Sequence, residues 1–187
     1  MFTMLNAGAG ILGVLAVFGG LLFIAVIGAI VLQVLYSFGM YKMGQRAGVE
    51  NSWLAFIPPL NFYVMGKLFD RNGGLRILGN DIPSPEIVLP LVPVVMWVGS
   101  AIFAGKLALI SSLITLAGGI FIILCNYELF KLYKGDKATS TLILCIFVPF
   151  ALPIVIFNLR NADPIGGGYS DYNGGYYDNN DHYGGYY

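Results

Sequence analysis

Charge is scarce in this chain. Asp, Glu, Lys and Arg make up 11% of its 187 residues, against about 25% in soluble globular proteins. The first charged residue is Lys42. No basic region therefore precedes the N-terminal apolar run, and it is expected to stay in place as a helix and not to be cleaved as a signal peptide. Net charge is zero, which excludes nucleic-acid binding by bulk electrostatics. There is one histidine, His182, and there are two cysteines, Cys125 and Cys145. No His-Glu-x-x-His, Gly-x-Ser-x-Gly or Walker-type glycine loop occurs. Nothing in the chain asks for a cofactor or a metal.

Apolar residues, at 57%, are abundant, and they fall in long runs, which is the membrane pattern. The expected fold is an all-α membrane protein. It has four transmembrane helices, a proline-broken re-entrant or interfacial pair of short helices, and a disordered C-terminal tail. The spans fall near 19–38, 87–103, 107–129 and 139–159. The first run, from Ala7 to Phe38, is also long enough to form one extended tilted helix, with Gln33 as its only strongly polar side chain. Gln33 is expected to bond a neighbouring helix. Cys125 and Cys145 lie inside apolar runs and read as small packed hydrophobes. Gly48 offers a helix stop. Residues 70–86 read as a loop by their turn chemistry. The prolines of the last run, Pro149 and Pro153, are able to turn it back.

The broken pair, 53–69, holds most of the candidate polar site: Trp53, Pro58, Pro59, Asn61 and Lys67. Pro58 and Pro59 end any helix begun at Asn51-Ser52. A second short helix is expected from Leu60 to Phe69. Backbone groups freed at the prolines need protein or water partners, because lipid offers none. The remaining candidate is Glu128, next to Asn126 at the end of the third span. Its simple role is an ion pair with Lys131 three residues on; its functional one is a cation or proton site with Asn61 or Gln33.

After Arg160 the composition changes. Residues 161–187 hold seven Tyr, seven Gly and four Asp, and no Lys or Arg. Such a stretch cannot build a core. His182 with Asp178 and Asp181 is at most a weak metal site. The tail reads as a solvating segment or an arm for weak multivalent contacts.

Lys and Arg near span ends mark the cytoplasmic side. With four spans and 53–69 dipping without crossing, eight of the ten basic residues share one side. Lys106 and Arg160 are left on the other. That count places both termini, and the tail, on the extracytoplasmic side of the cell membrane.

The stretch from Leu35 to Lys67 carries a basic helix end, then Gly48-x-x-Asn51-x-Trp53-Leu-Ala-x-Ile57-Pro58, then Asn61-x-Tyr63-x-x-Gly66-Lys67. It resembles an uncharacterised group of small polytopic membrane proteins of mostly Gram-positive bacteria. Tyr133–Ala138 and Pro149–Asn161 resemble that group's last loop and span, so the pattern covers about residues 35–160. Pro58-Pro59 departs from the group's single proline, and the tail lies outside the match. The resemblance implies a shared fold and carries over no activity and no site residues.

The functional expectation is a non-enzymatic accessory or protein-interaction component of the cell envelope. A subunit of a small channel or transporter is the alternative, and a lipid-modifying enzyme a distant third. The expected partners are the lipid bilayer, a membrane or envelope protein, and further copies of the chain through Gly19-Gly20 or Gly118-Gly119.

Overall fold

The computed structural model describes residues 2–103, 107–148 and 150–165. Most of the tail, residues 166–187 with Asp178, Asp181 and His182, lies outside the described residues, as do Pro149 and Lys106.

Helix α1 runs from Phe2 to Arg46. Its 45 residues contain no proline, and at 1.5 Å per residue they reach about 67 Å. It is the single extended helix that the first run allows. It stops where glycine permits: Gly48 has φ +68°, its N–H donates to Gln45 O, and the N–H of Val49 donates to Gly44 O at 2.9 Å. That is the Schellman arrangement, in which a left-handed residue lets two amides close the last carbonyls.

The chain then folds back on α1. A short 3-10 turn, Ser52–Phe56, is pinned by the Ser52 hydroxyl donating to Val49 O at 2.5 Å. The Phe56 ring meets the Tyr41 ring at 5.5 Å. After Pro58-Pro59, helix α2 spans Asn61–Arg71. Arg71 then donates to Ala47 O. Both ends of this segment therefore lie at the C-terminal end of α1.

The expected loop 70–86 contains a hairpin. Strand β1, Leu75–Ile77, pairs antiparallel with β2, Asn80–Ile82, around Leu78-Gly79. Both turn residues have positive φ, 51° and 85°, as a two-residue turn matched to strand twist requires. The turn signal was present, but leucine in its first position hides it.

Helix α3, Pro85–Ile102, starts with proline in its first turn, where the missing N–H costs nothing. Helix α4, Ala108–Lys134, packs back along it. Gly118 accepts Met96, and the hydroxyls of Ser100 and Thr115 meet at 3.1 Å. Helix α4 runs past the expected end at 129, and Gly135, with φ +54°, closes it.

The fourth expected span, 139–159, is not one continuous helix. Two short helices replace it: α5, Ala138–Phe147, and α6, Ala151–Asn158. At 10 and 8 residues they reach about 15 and 12 Å, well short of the roughly 30 Å of a hydrocarbon layer. The chain also returns to where α5 began. Asp163 pairs with Arg46 at 2.5 Å, and the N–H of Ile165 donates to Leu132 O at 2.7 Å. Helix α6 lies on α1 with the Phe38 and Phe157 rings 6.0 Å apart.

Three helical stretches are long and apolar enough to cross a membrane: Ala16–Arg46, Pro85–Ile102 and Ala108–Phe147. The last is interrupted at Gly135, so α4 supplies its crossing length. The buried core sits at one end of the bundle. Met40, Met43, Val64, Met65, Leu68, Leu129, Phe130 and Ile156 are fully enclosed there. By contrast, Phe18–Ile30 of α1, Trp97 and Ile102 of α3, and Leu109 of α4 stand exposed.

Candidate functional site

Charge segregates completely among the described residues. All sixteen charged side chains stand at the core end, which we term the cap. They include nine of the ten Lys and Arg, the tenth being Lys106. Two ion pairs join separate parts of the cap, Arg46 with Asp163 and Lys67 with Glu86 at 3.5 Å, and two are local, Arg76 with Asp81 at 2.7 Å within the hairpin and Lys131 with Glu128 at 3.0 Å within α4.

The six expected site residues do not converge. Trp53 points outward and is 55% exposed. Pro58 is exposed and Pro59 half-buried, at the turn between the 3-10 segment and α2. Asn61 is buried at the start of α2, with its Oδ1 unpartnered. Lys67 sits on the last turns of α2 between Asp70 and Glu86. Glu128 lies on α4 and holds Lys131 through both carboxylate oxygens, which is the simple pairing expected of it. Gln33 bonds Ser37 of its own helix at 3.2 Å, in place of a neighbouring helix. Cys125 is buried and Cys145 half-buried, both free thiols. No group of three or more potential metal ligands occurs among the described residues.

Among the described residues, three buried oxygens lack a protein partner: Asn61 Oδ1, Asn126 Oδ1 and Glu86 Oε2. Each such group costs about 1–3 kcal/mol. Asn126 donates to Ile122 O at 2.8 Å, so one half of its carboxamide is satisfied. Glu86 escaped sequence reasoning because it sits in the expected loop. Its position in the first turn of α3, where an anion meets the positive end of the helix dipole, was the available signal.

A cleft of about 260 Å³ opens between the end of α2, β1 and the last turns of α4. Its floor is apolar, from Phe69, Leu75 and Leu132, and its rim is polar, from Asn72, Arg76, Glu128 and Lys131. Asn72 is fixed by donating to Leu68 O at 2.7 Å. Hydrogen bonding and then charge attraction from Arg76 hold the Asp81 carboxyl below the ordinary carboxylate range. Of the expected site residues, only Glu128 belongs to this cleft.

The glycines expected to face other copies divide. Gly118 is occupied by Met96 of its own chain, whereas Gly19, Gly20 and Gly119 have no side chain or foreign backbone within reach. No family model, curated protein or solved structure matches this chain.

Proposed function

We propose that the chain is a non-enzymatic, multi-pass protein of the cell membrane, an accessory or protein-interaction component of the envelope whose working surface is the cap. The observation that carries this reading is the gathering of every described charge at one end, with exposed apolar helices leading away from it. Nine of ten basic residues on one side is a strong orientation bias, so the cap faces the cytoplasm. The resemblance noted around Leu35–Lys67 supports the same membrane setting.

In this reading α1, α3 and α4 cross, and two segments enter from the cap and return to it. The first is the proline-broken 53–69 pair, supported by Arg71 reaching Ala47. The second is α5–α6, supported by Arg46 meeting Asp163. Three crossings put the N-terminus outside and the tail inside. This reverses the tail side expected from four crossings, and it moves Arg160 to join the other basic residues.

The test is labelling of intact cells with a membrane-impermeant thiol reagent. The full chain would carry a single reporter cysteine at Phe56 or appended after Tyr187, in a Cys125→Ser/Cys145→Ser background. Neither position is expected to react until the cells are opened. Reaction of the appended cysteine in intact cells would sink the three-crossing arrangement.

A second reading, a channel or transporter subunit, is favoured by the unpartnered carboxamide oxygens of Asn61 and Asn126. Under the interaction reading, protein in liposomes passes no ions, and Asn61→Leu is neutral or stabilising because it removes an unsatisfied buried group. Ion flux that Asn61→Leu abolishes would instead establish the pathway.

A further inference from the structure

We infer that the cleft between α2, β1 and α4 is a phospholipid headgroup site that selects phosphoethanolamine. The inference rests on the proposed placement of the cap at a membrane surface. The cleft lies just beyond the apolar length of α4, at the depth where headgroups sit. Its floor of Phe69, Leu75 and Leu132 suits the glycerol and first methylenes of a lipid. Its volume of about 260 Å³ falls below the roughly 300–1,000 Å³ of sites for whole small molecules, and matches a headgroup better than a nucleotide.

The charges choose the headgroup. Arg76 and Lys131 supply two cations at the rim, and Glu128 with the adjoining Asp81 supplies two carboxylates. With no net charge, the site has no long-range attraction for an anion. A zwitterion matches it group for group: its phosphate on Arg76 and Lys131, its ammonium on Glu128. These cations are free to re-partner. The Arg76 and Asp81 side chains are 70% and 77% exposed and Lys131 is 49% exposed, and exposed pairs are weakly held.

Choline lipids carry the same charges but no N–H, so they separate hydrogen bonding at Glu128 from simple charge matching. Native mass spectrometry of the full chain in detergent, titrated with phosphatidylethanolamine, phosphatidylcholine, phosphatidylglycerol or inorganic phosphate, reads this directly. Phosphatidylethanolamine is expected to be retained about tenfold more tightly than phosphatidylcholine, the weight of one charge-assisted hydrogen bond. Glu128→Gln should bring the two lipids level. Arg76→Gln/Lys131→Gln should lose both, while Lys42→Gln, outside the cleft, leaves the ratio unchanged. Helical circular dichroism of each variant confirms that it is folded. Equal retention of ethanolamine and choline lipids by the unaltered protein overturns the inference. So does tighter binding of phosphatidylglycerol, or displacement of the lipid by inorganic phosphate. Retention is read in detergent, independently of which way the protein faces in cells, so this result and the topology can fail separately.

Discussion

Replacing Gly66 by valine is expected to cost about 3 kcal/mol or more, at the upper end of overpacking effects, and to lower the midpoint of thermal unfolding in detergent sharply. A Cβ at Gly66 would stand 2.5 Å from both Glu86 N and Pro85 O, and against Glu86 Cα. These are backbone atoms at the start of α3, fixed by the Ile87 and Val88 amides donating to Ser84 O, so no side-chain rotation relieves them. Helix α2 would have to part from α3 and carry Lys67 away from Glu86, whose second carboxylate oxygen is already buried without a partner. Gly119→Ala is the control. Nothing lies within 4 Å of the Cβ it adds, and alanine is the better helix former by up to about 1 kcal/mol. Equal unfolding midpoints for Gly66→Val and the unaltered protein would mean that α2 and α3 do not cross as described.

The apolar runs were legible because membrane-length helices follow from composition alone, and the Gly48 stop followed from the residue's freedom at positive φ. The break of 139–159 into two short helices was not legible in the same way. Pro149 and Pro153 permit a break, but membrane helices also tolerate proline, as Pro90 and Pro93 inside α3 illustrate. What distinguishes the two cases is tertiary. Helix α6 finds a seat on α1 at Gly39, and Asp163 finds Arg46 117 residues away. No local pattern encodes that separation. The close approaches at glycine were legible only in part, for the same reason. Gly118, one of the paired glycines, takes Met96 as a packing site should, but the single glycines Gly39, Gly44 and Gly66, which make the other close crossings, carried no such signal. The candidate site fared similarly. Glu128 and Lys131 were paired correctly by helical spacing, but Asn72 and Arg76 reach the same cleft only because the unexpected β1–β2 hairpin folds against α4.

Gly39→Leu is expected to redistribute the C-terminal tail across the membrane, and it tests the proposed topology from the inside. The Cβ would meet Ile156 O at 2.7 Å and Phe157 N at 2.9 Å, so α6 must leave α1. A loss of about 1–3 kcal/mol alters a two-state balance roughly 5- to 150-fold. The competing state is ready: 139–159 is 21 residues long, close to the roughly 20 that a crossing needs. Its prolines are tolerable at depth. The tail past Arg160 carries no Lys or Arg to hold it on the cytoplasmic side. Released from α1, the segment can straighten and carry the tail outward. The appended cysteine should then react in intact cells, with the Phe56→Cys reporter still silent because the first inserted pair is untouched. Gly28→Leu, with open space around it, should leave the tail inside. A silent tail in Gly39→Leu together with an unchanged unfolding midpoint would show that the α1–α6 contact does not hold the segment back. A silent tail with a lowered midpoint would show instead that the contact stabilises the fold while other cap interactions set the side.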